Sequence, residues 1–262
     1  MTDLDAAYAN AEFIPDAADY PPRWAANAQA FREGLTASGR AELDISYGGH
    51  PRERFDLLWP VGDSLGLVVF VHGGYWRRFG KSDWSHFAAG CLERGWTVAL
   101  PGYPLCPEVR VSQITGSISV ALAVMAGRVA GPIRLTGHSA GGHLVARMPA
   151  MSLSEDILER IENIVPISPV SDLRPLLRTS INDDLNLSEV EALSESPVFQ
   201  PAPGSPVSVW VGADERPAFL DQARWLADAW DAECHVAPDR HHFDVIDSLC
   251  DPNSPLMNRL LG

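Results

Sequence analysis

The chain has 262 residues, 46% of them hydrophobic and 21% charged, which is enough apolar material for the core of one large α/β domain spanning residues 1–262. Its 34 acidic against 20 basic residues leave a formal charge of −14, which argues against a nucleic-acid partner, because binding a phosphate backbone takes basic clusters. No apolar run reaches membrane-spanning length and the start, Met1-Thr2-Asp3-Leu4-Asp5, is acidic where a signal peptide is basic and then apolar, so no membrane partner is expected and the expected location is the cytoplasm.

Residues 1–40 carry Pro15, Pro21 and Pro22 beside Tyr8, Phe13, Tyr20 and Trp24, a proline-broken but aromatic segment expected to pack across the domain as an arm. From about residue 41 strand-like and helix-like stretches alternate. The expected strands are Glu42–Tyr47, Arg54–Trp59, Leu67–Val71, Thr97–Leu100, Ile133–Thr136, Ile164–Ile167, Val207–Val211 and His235–Ala237. Between them, Ser82 caps a helix whose apolar positions Trp84, Phe87, Ala88, Cys91 and Leu92 share one face until Gly95. Ser112–Val129 and Ala218–Trp230 are further helices. Residues 171–203 exceed a simple connection and form either a cap over the active site or a peripheral helical insertion. This alternation predicts an α/β fold, a mostly parallel central sheet of about eight strands with helices on both faces.

Chemistry concentrates at strand ends. After Ile133–Thr136 comes Gly137-His138-Ser139-Ala140-Gly141, a G-x-S-x-G pattern that opens a helix and exposes Ser139 as a candidate nucleophile on a tight strand-to-helix turn. After Leu67–Val71 comes His72-Gly73-Gly74-Tyr75-Trp76, where the Gly73 and Gly74 N–H groups, with that of Ala140, are candidate oxyanion donors. An acid and then a base should follow two later strands in that order. Val207–Val211 is followed by Asp214 and Glu215, and His235–Ala237 by His241 and His242. His242 stands where a loop turns into a helix and is preferred as the base; residue type favours Asp214 as the acid, and the third position after Gly212 favours Glu215, which is the choice made here. His138 and His143 are five apart and make no zinc motif, and Cys91, Cys106, Cys234 and Cys250 form no C-x-x-C pair, so no metal is expected and the thiols read as reduced.

With these residues placed, the chain resembles the α/β-hydrolase superfamily and, within it, the serine-type arylformamidases (kynurenine formamidases). The matching segments are HGGYWR at His72–Arg77, GYPLCPEVR at Gly102–Arg110, GHSAGGHL at Gly137–Leu144, DLRPLLRTSIN at Asp172–Asn182 and HFDVI at His242–Ile246. The resemblance implies the α/β-hydrolase fold, Ser139 as nucleophile, His242 as base, an acid four residues before Phe219 (hence Glu215), and hydrolysis of N-formyl-L-kynurenine to L-kynurenine and formate without a cofactor. A formyl group is small, so a tight acyl side and a broad aromatic leaving-group side are expected, with Tyr75, Trp76 and Tyr103 as candidate substrate-binding residues. A small-molecule carboxylesterase or amidase would use the same residues. A non-catalytic binding protein of this fold is the alternative from another class, and the simultaneous presence of serine, histidine, acid and HGG speaks against it. The expected partner is a small-molecule substrate; the oligomeric state stays open, a homodimer included.

Overall fold

The computed structural model describes residues 3–262; Met1 and Thr2, part of the acidic start, lie outside the described residues. Eight strands, β1 (Ala41–Ser46), β2 (Arg54–Leu58), β3 (Leu67–Val71), β4 (Thr97–Pro101), β5 (Ile133–His138), β6 (Ile161–Ile167), β7 (Ser208–Gly212) and β8 (Glu233–Ala237), form one sheet in the order β1-β2-β4-β3-β5-β6-β7-β8. The pairs β1·β2 and β2·β4 are antiparallel and all later pairs are parallel. Ten α-helices accompany them: α1 (Asp3–Tyr8), α2 (Tyr20–Ala37), α3 (Ala89–Glu93), α4 (Val111–Ala126), α5 (Ala140–Arg147), α6 (Glu155–Arg160), α7 (Asn182–Leu185), α8 (Glu189–Glu195), α9 (Pro217–Trp230) and α10 (Pro255–Leu261).

The central strand β3 explains why the sheet is covered on both faces. All five of its residues are buried, and they alternate between two cores as a pleated strand must. Leu67, Val69 and Val71 pack with α4 and α5 through Ile114, Ile118, Leu122 and Leu144. Val68 and Phe70 pack on the opposite face with Trp24, Phe87, Leu92, Leu256 and Leu260. Next to the far edge, Val209 and Val211 of β7 meet Leu226 and Trp230 of α9.

Two expectations are corrected in detail, and residues 171–203 fill out a choice left open. The arm is less broken than its prolines suggest, because Pro21 and Pro22 stand in the first turn of α2, where a missing N–H costs no hydrogen bond. The helix expected from Ser82 to Gly95 is instead two 3-10 turns, Lys81–Asp83 and Ser85–Ala88, followed by the short α3. Trp84 and Phe87 lie within 5.9 Å of each other in an aromatic cluster with Trp24, Phe70 and Phe79, and that packing overrides helical periodicity. Finally, residues 171–203 carry 3-10 turns at Arg174–Arg178 and Pro197–Phe199 with α7 and α8 between them, and only Ser180 and Ile181 of this stretch reach the cavity described below. Among the described residues no helix is long and apolar enough to cross a membrane.

Candidate active site

The parallel strands β3, β5, β7 and β8 all deliver their C-terminal ends to one side of the sheet, the side where open α/β sheets bind ligands. Ser139 follows β5 directly and holds φ 57° and ψ −117°, a strained conformation for a residue with a side chain. Two glycines make it possible. A Cβ on Gly137 would stand 2.5 Å from the Gly141 carbonyl oxygen, and one on Gly141 only 1.9 Å from that of Val71. The turn is then locked by the Ser139 N–H donating to Ile167 O at 2.8 Å and the His143 N–H donating to Ser139 O at 3.0 Å.

Glu215 follows β7 and turns inward, its side chain fully buried. One carboxylate oxygen accepts from the Gly212 N–H at 2.9 Å and from the Ser168 hydroxyl. The other faces His242 Nδ1 at 2.6 Å, so Nδ1 carries the proton and Nε2 is left with its lone pair. Asp214, the competing carboxylate, is exposed, and its backbone N–H is tied to Arg240 O at 2.9 Å. The turn that closes back on Gly212 therefore sends the second of the two acids inward. His241 is likewise separated from its neighbour: its Nε2 meets the Tyr20 hydroxyl at 3.1 Å and its Nδ1 meets Asp244 at 3.1 Å.

The His242 ring is wedged between Phe219, with centroids 4.3 Å apart, and His138, at 4.6 Å. His138 is buried, neither of its ring nitrogens has a hydrogen-bond partner among the described residues, and burial first and the adjacent His242 second push its pKa well below the usual imidazole value. It is therefore neutral. Ser168 and His138 were not anticipated as parts of this site. Ser168 is buried, with φ 47°, and no short motif marks a hydroxyl that acts only through a glutamate 47 positions away.

Ser139, His138 and His242 line one cavity of about 620 Å³, a size typical of small-molecule sites. Gly73 lies against the elbow, since a Cβ there would stand 3.1 Å from Ser139 Cβ. Gly74 has φ +112° and lines the cavity. The Ala140 N–H occupies the first position of α5, where a helix offers no internal acceptor.

Of the three aromatic residues expected to bind substrate, Tyr75 lines the cavity and donates its hydroxyl to Tyr8 O at 2.7 Å. Trp76 and Tyr103 do not. Trp76 is fully buried with its ring edge-on to His143, and Tyr103 stacks on His72 at 4.3 Å while donating to His72 O at 2.8 Å. Both brace the loop after β3 from behind, and the burial that favours large aromatics in a core explains the error. The rest of the aromatic wall is built by Tyr8, Trp24, Phe79, Trp84 and Phe243, the first two from the arm. Among the described residues no group of three or more His, Cys, Asp or Glu is placed to hold a metal ion, and the four cysteines are unpaired.

Comparison with known proteins matches residues 68–202 to a family described by its α/β-hydrolase fold. A kynurenine formamidase of Salmo salar is 30% identical over 255 residues, covering 88% of this chain and 86% of the relative. One from Danio rerio is 28% identical over 237 residues, covering 84% and 80%. A crystal structure of a candidate thioesterase from Silicibacter sp. superposes with a TM-score of 0.97 at 55% identity and full coverage of both chains.

Proposed function

Because the chain belongs to the α/β-hydrolase family, in its kynurenine formamidase-like branch, and is a hydrolase, we propose that it cleaves an aryl formamide of the N-formyl-L-kynurenine type to the free arylamine and formate. The observation that carries this reading is the His242 Nδ1 to Glu215 hydrogen bond of 2.6 Å on the wall of the cavity that Ser139 also lines. In this reading Ser139 Oγ attacks the formyl carbonyl while His242 Nε2 takes its proton, and Glu215 stabilises the imidazolium that forms. Charge developing on the carbonyl oxygen is met by the N–H groups of Ala140, Gly73 and Gly74.

His242 then returns the proton to the leaving aniline nitrogen, the C–N bond breaks, and the arylamine departs from a formyl-serine. Water, deprotonated by His242, attacks that ester and releases formate. Proton return decides the substrate class, because an anilide nitrogen leaves only as the neutral amine whereas an activated phenolate needs no acid. The aromatic wall of Tyr8, Trp24, Tyr75, Phe79 and Phe243 suits an aryl leaving group. We place this activity in the cytoplasm.

A second reading, ester or thioester hydrolysis, is favoured by the 55% identical relative, itself described as a candidate thioesterase. The test is kcat/KM on N-formyl-L-kynurenine beside p-nitrophenyl acetate, p-nitrophenyl butyrate and a short acyl thioester. Formamide turnover that falls about 10⁴-fold or more in Ser139→Ala and at least about 10²-fold further in His242→Ala than in His241→Ala supports the proposal. Brisk ester or thioester cleavage with undetectable formamide hydrolysis overturns it.

A further inference from the structure

Two opposite charges reach the reaction cavity without a partner. Arg77 and Arg78 both line it, but Arg77 is engaged by Asp184, whereas the exposed Arg78 side chain makes no hydrogen bond or ion pair among the described residues. On the arm, Glu12 lines the same cavity and is also without a cationic partner among the described residues. Two positions earlier in the chain and on the same cavity, Asn10 is 7% exposed, and its Oδ1 is buried with no donor pointed at it. A buried amide oxygen left without a donor is costly, and the cost is removed when a ligand brings an N–H to it.

The setting sharpens the contrast. On a chain of net charge −14 most of the surface repels anions, so an uncommitted guanidinium at a cavity draws a carboxylate to that place. A guanidinium presents its N–H donors as a planar fork that matches the two oxygens of a carboxylate. An amide oxygen and a carboxylate together match an ammonium, which has three donors and no acceptor. One small group carries both features on a single carbon.

We propose that this part of the cavity is a recognition site for an α-amino-acid headgroup, in which Arg78 holds the carboxylate and Asn10 Oδ1 with the Glu12 carboxylate holds the ammonium. The site deepens the formamidase reading and rests on it for the aryl formamide end of the substrate. It adds the selection of molecules whose leaving group carries a zwitterion over simple aryl amides and esters. Arg78 comes from the loop after β3 and Asn10 and Glu12 from the arm, so the headgroup would also tie the arm to the body of the protein.

The experiment uses two matched pairs with the full-length protein: N-formyl-L-kynurenine against 2-formamidoacetophenone, and O-acetyl-L-tyrosine against p-tolyl acetate. The expected result is a preference for the zwitterionic member of each pair, lost through KM by about 30-fold in Arg78→Met with kcat little changed, and partly restored in Arg78→Lys. Glu12→Gln and Asn10→Ala should raise KM for O-acetyl-L-tyrosine but not for its N-acetylated form, which lacks the ammonium. An Arg78→Met variant that changes both members of a pair equally, or neither, overturns the site. The ester pair separates the two proposals. An Arg78-dependent preference there without formylkynurenine turnover keeps the site and removes the formamidase reading, and formylkynurenine turnover indifferent to Arg78 does the reverse.

Discussion

Replacing Glu215 with glutamine tests the proposed mechanism at its most constrained point. One carboxylate oxygen receives the Gly212 N–H at 2.9 Å and the Ser168 hydroxyl, so only the carbonyl oxygen of a glutamine can be accommodated there. The glutamine NH2 is thereby forced toward His242 Nδ1, now 2.6 Å from the other oxygen. Facing a donor, Nδ1 must present its lone pair, the ring proton moves to Nε2, and the imidazole cannot take the proton of Ser139. Fixing the wrong tautomer costs about 10⁴-fold in kcat, which is about 5 kcal/mol of transition-state stabilisation. The fold should hardly notice, because the variant keeps the same volume and the bonds to Gly212 and Ser168; the melting temperature should move by only a few degrees. Asp214→Asn, at an exposed side chain, should stay within about twofold of the parent. Steady-state kinetics on p-nitrophenyl acetate, with the rate of fluorophosphonate labelling of Ser139 measured alongside, gives the answer. A loss below tenfold in Glu215→Gln, or an equal loss in Asp214→Asn, would refute the reasoning.

Gly141→Ala should lower stability by about 3 kcal/mol or more, since the new Cβ meets backbone oxygen at 1.9 Å with no flexible side chain to yield; an unchanged urea midpoint would show that the turn relaxes freely. Ser168→Ala removes the hydroxyl that steadies Glu215 and should lower kcat about tenfold with KM unaltered, and a loss confined to KM would show that Ser168 acts elsewhere. Burial pulls the pKa of His72 down to about 3 and that of His143 to about 4, so between those values and about 6.5 these residues are neutral when folded and protonated when unfolded. The unfolded state then binds more protons, and stability that is complete above pH 6.5 is lost as pH falls. At pH 5 each should have cost about 2 kcal/mol, read as a falling urea midpoint between pH 7.5 and 5; a flat midpoint over that range contradicts the assignment.

The strands were the most legible part of the fold. Leu67–Val71 is unbroken, apolar and rich in valine, flanked by Gly66 and His72-Gly73, and the structure reproduces its bounds. The placement of Ser139 was equally plain, because a strained serine between two backbone contacts demands glycine on both sides and leaves a short pattern. Choosing between Asp214 and Glu215 was harder, since adjacent residues after a strand point in different directions and only the turn decides which goes inward. Ser168, which hydrogen-bonds Glu215, lies far away in sequence and carries no pattern at all. The aromatic residues failed for a different reason. Trp76 follows the HGG loop along the chain and Tyr103 follows β4, but the side of the loop on which they pack is set by the core behind it, where Tyr103 stacks on His72. The helix expected after Ser82 shows the same limit, with aromatic packing prevailing over a periodicity of 3.6.

One wall of the cavity belongs to a stretch that precedes the whole sheet. It is attached by the buried rings of Tyr8 and Trp24 and by bonds that include Tyr75 to Tyr8 O, Gln222 to the Tyr8 hydroxyl, the Ser180 N–H to Asp5 and the Tyr20 hydroxyl with His241. Ser139, Glu215 and His242 follow strand ends and tolerate little change, whereas this stretch contributes no rung of the sheet. Diversification within such a lineage therefore has an inexpensive route: duplicate the gene, hold the reacting atoms still, and let the residues ahead of α2 drift toward a new diet. Two descendants could then share every signature by which the chemistry is recognised and still consume different molecules, their separation recorded only in the part of the chain that a search for that signature passes over.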